Sequence, residues 1–241
     1  MDVAILYSGG KDSTLAIDHA LRKEWNIKYL ISVKPTRTDC FLFHFATVEL
    51  TKDLAKLFGL KHVYVTCDVA DPKKEADLIK DVVNKEPVDA LILGGTGLQE
   101  TQIKSIRDAV FDLGTEVFAA HTGEDHGKVL YDLIRRGYDI RVTQIAAEGL
   151  SKRWLGRKLD LEAFAELKDL SERFGFHLGA EGGHYDTLVV DAPFFNKKLE
   201  ILESKAVMED EFSGYLQVLK HVISEKKPVL SVSAAQNSQR L

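Results

Sequence analysis

Apolar residues recur along the first 146 positions in two alternating rhythms. Short, largely apolar runs, Val3 to Leu6, Ile27 to Val33, His62 to Thr66, Val88 to Leu93, Glu116 to Ala120 and Ile140 to Ala146, read as strands. Between them lie amphipathic segments with helical spacing: one carrying Leu15, Ala16, Ala20 and Leu21, then Phe43 to Phe58 closed by Gly59, Asp71-Pro72 through Lys85, Thr101 to Leu113, and Asp125 to Arg136. Strand and helix in alternation predict an α/β fold: a doubly wound, mostly parallel sheet of five to six strands, Rossmann-like. Such sheets bind ligands outside the carboxyl ends of their strands, so the loops at Ser8, at Lys34 to Phe41 and at Gly94 to Glu100 are expected to share one crevice.

After Ala146 the rhythm changes. Glu148 to Leu159 reads as a loop or short helix and Asp160 to Phe174 as an amphipathic helix. A glycine-rich polar stretch from Gly179 to Thr187 runs into a strand, Leu188 to Asp191. Pro193 to Lys205 is expected to form a short strand pair, Glu209 to Ser224 a surface helix, and the remainder a frayed tail. The expected organisation is a nucleotide-binding domain over residues 1–146, a smaller α+β substrate-binding region over residues 147–206, and a surface helix with tail over residues 207–241.

The chemistry is concentrated at the end of the first strand, in Tyr7-Ser8-Gly9-Gly10-Lys11-Asp12-Ser13. Adjacent glycines allow a sharp turn and bring bare backbone N–H groups near a ligand, and the following helix start adds unpaired donors and the positive end of its dipole. The ligand should therefore be an anion. Lys11 adds a mobile cation, Ser8 and Ser13 add hydroxyls, and Asp12 offers a carboxylate for a Mg2+ bridging phosphate oxygens. A Walker loop is excluded because Lys11 is followed by Asp12 and no glycine stands at the required earlier position; a dinucleotide fingerprint is excluded because the glycines are adjacent.

The net charge of −5 argues against a large nucleic-acid footprint. No apolar run approaches the roughly 18 residues of a membrane span, and the N-terminus enters directly into a strand, so a cytoplasmic protein is expected. Cys40 and Cys67 form no C-x-x-C pair, which disfavours a disulfide framework, a four-cysteine metal site and thiolation chemistry. The sequence leaves oligomeric state open, a homodimer included.

What remains for the first loop resembles the SGGxDS signature of the PP-loop ATP pyrophosphatases, which cleave ATP between its α and β phosphates. Together with Gly149-Leu150, Trp154-Leu155-Gly156-Arg157, Leu159-Asp160 and Glu181-Gly182-Gly183-x-Tyr185-x-Thr187-Leu188-Val189-x-Asp191, it is similar to the diphthine–ammonia ligase family from residue 1 to about residue 205. The resemblance implies ATP-dependent amidation of the diphthine carboxylate on elongation factor 2, with ammonium as nitrogen donor and AMP and pyrophosphate as products. It implies Lys11, Asp12 and Ser13 as catalytic residues with Asp12 on Mg2+. ATP would be held by Tyr7, Ser8, Gly9, Gly10, Lys11, Asp12, Ser13, His44, Gly94, Gly95 and Thr96, and the acceptor by Glu181, Gly182, Gly183, His184, Tyr185, Asp186, Thr187, Trp154 and Arg157.

The chain departs from the family pattern on the acceptor side. Gly94 to Thr101 lacks the usual basic residues, Ala120-His121-Thr122-Gly123 stands where Pro-Leu-Trp is usual, and His184 and Asp186 replace glutamates. A paralogue that binds ATP or AMP but amidates another substrate, or none, is the alternative. Trp154 packing a core, Arg157 pairing with Asp160, and a capping turn at Glu181 to Thr187 are the plain structural readings of those residues. His121 and His126 flank Glu124 and Asp125, a metal-like grouping for which the sequence offers no further ligands.

Overall fold

The computed structural model describes residues 1–36, 47–94 and 100–226. His44, Gly95, Thr96, Cys40, the start of the helix expected from Phe43 and the tail lie outside them.

β1 (Asp2–Leu6), α1 (Lys11–Arg22), β2 (Asn26–Pro35), α2 (Thr51–Phe58), β3 (His62–Cys67), α3 (Pro72–Lys85), β4 (Ala90–Leu93), α4 (Glu100–Val110) and β5 (Glu116–Ala119) follow in order. The strands form one parallel sheet in the order β3-β2-β1-β4-β5. Both faces are covered, as parallel sheets require, and alternate residues divide between two cores. Val3, Ile5, Leu30 and Ile92 belong to one, whereas Ala4, Tyr29, Ile31, Leu91 and Leu93 pack with Ala76, Ile79 and Val83 of α3 and Ile106 of α4 in the other. Asp71 caps α3 by accepting from the Lys73 and Lys74 N–H groups, with Pro72 in the first turn, and α2 ends at Gly59 in the left-handed conformation.

α5 (His126–Arg135), β6 (Asp139–Ala146), α6 (Leu161–Phe174), β7 (Tyr185–Asp191), β8 (Lys197–Met208) and β9 (Ser213–Glu225) build the second region. Three expectations are corrected here. β6 does not extend the parallel sheet; it pairs antiparallel with β7 and β9 in a second sheet of order β7-β6-β9-β8. The segment Glu209 to Ser224 is not a helix, and Pro193 to Lys205 is not a strand pair: β8 and β9 are the arms of one long hairpin. Asp210 holds its turn, its Oδ1 accepting from the N–H groups of Phe212 (2.8 Å) and Ser213 (2.7 Å). β-Branched and aromatic residues, Tyr215, Val218, Val222 and Ile223, suit the strand better than the helix.

The second sheet shares its core with the first. Ile140, Val142, Leu188 and Trp154 pack in the same cluster as Val3, Ile5 and Ile17.

Candidate active site

β1 has β2 on one side and β4 on the other, and the chain reaches them in opposite directions around the sheet. The carboxyl ends of β1 and β4 are therefore the switch point where a crevice opens. Tyr7 to Ser13 leaves β1 here and Gly94 leaves β4.

Gly9 adopts φ +83°, a conformation that favours glycine, and lets the chain double back on itself. The loop then fastens itself through its hydroxyls. The Ser8 N–H donates to Ser13 Oγ (3.2 Å), the two hydroxyls lie 3.2 Å apart, and the Gly10 N–H points to Ser8 Oγ (3.4 Å). Gly10 is the N-cap of α1 and contributes no side-chain cap, so the helix start keeps donors for an anion. Lys11 is not the mobile cation expected. It is 2 % exposed, with its ammonium 2.7 Å from Asp12 Oδ2, and among the described residues Asp12 Oδ1 has no hydrogen-bond partner. Tyr7 is buried, and burial pushes its phenol well up, so it stays neutral.

β7, into which the glycine-rich loop runs, comes directly against this cradle. The Lys11 N–H donates to Thr187 Oγ1 (3.2 Å), and the Val189 N–H donates to the Gly9 carbonyl (2.9 Å). A methyl at Gly10 would stand 3.2 Å from the Thr187 carbonyl. The approach is backbone to backbone, and bare Gly10 permits it. Gly94 closes the other side: a Cβ there would lie 2.5 Å from the Ser13 nitrogen.

The loop itself is held in an unusual path, with Ala180, Gly182 and Gly183 all at positive φ. His177 Nδ1 accepts from the N–H groups of Gly179 (3.2 Å) and Glu181 (3.3 Å), and the Tyr185 hydroxyl donates to the Leu178 carbonyl (2.5 Å). Tyr185 is thus a buried support, its phenol pushed up by burial. Its neighbours Asp186 and Thr187 are partly exposed, as is His184, whose Nδ1 lies 2.8 Å from the Glu181 carbonyl.

Trp154 and Arg157 do not join this constellation. Trp154 is fully buried in the core. The Arg157 guanidinium lies 4.4 Å from the centre of its ring and is paired with Glu166 of α6 rather than with Asp160, which instead caps α6. A residue with no accessible surface cannot touch an acceptor, so Trp154 supports the fold from beneath.

Three imidazoles that no local pattern brings together also converge here. The rings of His121 and His126 lie 5.2 Å apart, and those of His126 and His177 5.5 Å apart. His121 Nε2 is 3.5 Å from Asp12 Oδ1, and His126 Nδ1 is 2.9 Å from Glu181 Oε1. Burial pushes the His121 pKa down, against the pull of Asp12. His177 is likewise pushed down by burial, with His126 beside it. The carboxylate beside His126 is Glu181, not the neighbouring Asp125, which caps α5 by accepting from the Lys128 N–H (2.7 Å).

Among the described residues, no helix is long and apolar enough to cross a membrane.

Residues 1–114 match the family described as Diphthamide synthase N-terminal domain, and residues 125–223 the family described as Diphthamide synthase C-terminal domain. Similar relatives include a protein of Homo sapiens named diphthine–ammonia ligase, 26% identical over 94% of this chain and 94% of its own length. Another of that name, from Schizosaccharomyces pombe, is 27% identical over 91% of this chain. The chain spans only 39% of that relative's length, and 33% of the Saccharomyces cerevisiae protein of the same name, which is 24% identical. With both halves of one family matched in order, and relatives of a single name aligned over more than nine-tenths of the chain, the chain belongs to the diphthine–ammonia ligase family of enzymes.

Proposed function

We propose that this protein is an AMP-forming amide ligase that converts the diphthine carboxylate of elongation factor 2 into the amide, with ammonium as nitrogen donor. The observation that carries this reading is the junction of the start of α1 with β7, Lys11 N–H to Thr187 Oγ1, at the β1/β4 switch point. It sets an anion cradle and a carboxylate-bearing loop side by side.

A carboxylate does not react with ammonia at neutral pH, because it has no adequate leaving group. In the proposed reaction its oxygen bonds to the α phosphorus of ATP as the bond to pyrophosphate breaks. Ammonia then attacks the carbonyl carbon of the acyl-adenylate, AMP leaves with the C–O electron pair, and the nitrogen gives up a proton. The protein's part is to position these groups and to stabilise the charge on departing pyrophosphate. Ser8, Gly9, Gly10, Lys11 and Ser13 are assigned to the phosphates, and the start of α1, where Gly10 brings no capping side chain and Thr187 takes only the Lys11 N–H, fits them. Asp12 would hold Mg2+, which neutralises phosphate charge when bound, and Asp12 Oδ1, without a hydrogen-bond partner among the described residues, fits that role. Gly94, with Gly95, Thr96 and His44, is assigned to AMP; Gly182, Gly183, His184, Asp186 and Thr187 to ammonium and the cationic acceptor, with Glu181 buried behind them beside His126. A cytoplasmic site of action follows from a translation factor as substrate.

Imidazoles at His121 and His184, on the acceptor side, favour a second reading: a paralogue with the same nucleotide chemistry and a different acceptor, or with none. Incubation with α-labelled ATP, ammonium and diphthine-bearing elongation factor 2 separates the two. The ligase reading expects labelled AMP that depends on both ammonium and the modified factor, and loss of at least about a hundredfold in Asp12→Ala. AMP formed without the factor points to another acceptor. Binding of ATP with no AMP under any of these conditions sinks the enzymatic reading.

A further inference from the structure

His121 lies just after β5, His126 opens α5, and Glu181 sits on the loop before β7, yet one donor atom from each lies within 4.8 Å of the other two. All three are withdrawn from solvent: His121 is 2 % exposed, Glu181 4 %, and the His126 side chain 11 %. Among the described residues, neither ring nitrogen of His121 has a hydrogen-bond partner, and Glu181 Oε2 has none. Buried polar atoms left in this way are costly and rare, and they call for a ligand.

We propose that His121, His126 and Glu181 form a binding site for an imidazole-preferring divalent transition-metal ion, Zn2+ or a close relative, separate from the Mg2+ assigned to Asp12. Two nitrogens and one carboxylate oxygen make the donor set of a three-ligand zinc site with a fourth position open, whereas Mg2+ takes oxygen ligands. The spacing is close to what such an ion needs. Ligands about 2.0–2.1 Å from a tetrahedral ion stand roughly 3.4 Å from one another. His126 Nδ1 and Glu181 Oε1, at 2.9 Å, are already within that range, and the widest pair closes by a little over an ångström.

The supporting shell is in place. Two backbone bonds to His177 hold the loop that carries Glu181, and His126 packs against Gly179 so closely that no side chain would fit there. The side toward the phosphate cradle holds Asp12 Oδ1, 3.5 Å from His121 Nε2. An ion here would present its open position to that cradle. A groove of about 510 Å³ between α1 and α5 has His121 in its wall and offers an entry path. The proposal does not depend on the ligase reading, since it concerns occupancy and not turnover.

Co2+ titration of the metal-free full chain, followed by visible ligand-field absorption and by Zn2+ competition, tests it. The expected result is one Co2+ per chain, displaced by one equivalent of Zn2+ and unaffected by a thousandfold excess of Mg2+. His121→Ala and Glu181→Gln should each weaken binding at least about tenfold, while His221→Ala, on the surface beside Asp53, should not. Circular dichroism of the metal-free variants establishes that they fold; if one does not, the wild-type titration still decides. Absence of a stoichiometric band, displacement by Mg2+, a thiolate charge-transfer band placing the ion on a cysteine, or a band that survives both substitutions would each overturn the proposal.

Discussion

Gly94 is where the nucleotide end of the crevice is most tightly specified. A Cβ at this position would stand 2.5 Å from the Ser13 nitrogen, 2.8 Å from the Asp12 carbonyl carbon and 2.9 Å from the Ser13 Cα, all of them backbone atoms that no rotamer change can move. Gly94→Ala must therefore push the end of β4 away from the start of α1. The expected cost is about 1–3 kcal/mol of stability, the usual range for forced overpacking, together with a rise in KM for ATP because the α1 donors lose their placement. Denaturant titration and initial-rate measurements check both; a variant with unchanged stability and KM would show that the two backbones do not meet as described. The cradle residues from Ser8 to Ser13 were legible in sequence because their geometry is local, set by adjacent glycines between a strand and a helix. The histidine cluster was legible only in part, as the metal-like pair His121 and His126 without a further ligand. His121, His126 and His177 belong to three segments with no shared spacing, and Glu181 replaced the adjacent Asp125 as the partner only because the fold brings the β7 loop back over α5.

At the scale of elements, the β8–β9 hairpin depends on Gly214. A Cβ there would lie 2.5 Å from the Val207 carbonyl oxygen and 2.8 Å from Met208 Sδ. Gly214 also pairs with Ile145 of β6, at the point where the hairpin joins the second sheet. Gly214→Ala should thus loosen the turn end of the hairpin and its junction with β6. We expect a loss of about 1–3 kcal/mol and faster hydrogen exchange in β8 and β9 than in β1 or β4; exchange rising equally everywhere would contradict a local effect. The strand character of β9 was masked because Leu216, Leu219 and Ile223 mimic a helical stripe. In the fold only Leu216 of these is buried, while Leu219 and Ile223 are exposed. Edge and surface strands carry weak alternation, so composition is the better guide there. The elements of the parallel sheet were legible because burial on both faces makes for largely apolar runs; β6 was read into that sheet although its Ile140, Val142 and Ile145 are interleaved with Arg141, Thr143 and Gln144, a more polar pattern than that of β4.

Across the whole molecule, the histidines give stability a pH dependence that begins above the carboxylate range. Burial pushes the pKa of His62 down from 6.5, reinforced by Lys52, and burial likewise lowers His19, His121 and His177. In the unfolded chain these groups take up protons near the ordinary histidine value, while in the folded chain they do so only at lower pH. The unfolded state therefore binds more protons in the window between, so stability rises with pH across it and is lost as pH falls below about 6.5. Carboxylates held low by their partners, such as Asp53 beside Lys56 and His221, lose their contribution only at more acidic pH. His62 is the cleanest probe, because it lies on β3, apart from the proposed metal ligands. Its Nε2–H donates to Ser32 Oγ (2.8 Å), which in turn donates to the Tyr7 carbonyl (2.5 Å), tying three strands together at the start of the cradle. His62→Gln keeps a donor but cannot take up a proton. Urea unfolding with chelator present should show wild-type stability declining from pH 6.5 to 5.5, and a shallower decline in the variant; a wild-type profile that stays flat until the carboxylate range would refute the assignment of buried, neutral histidines.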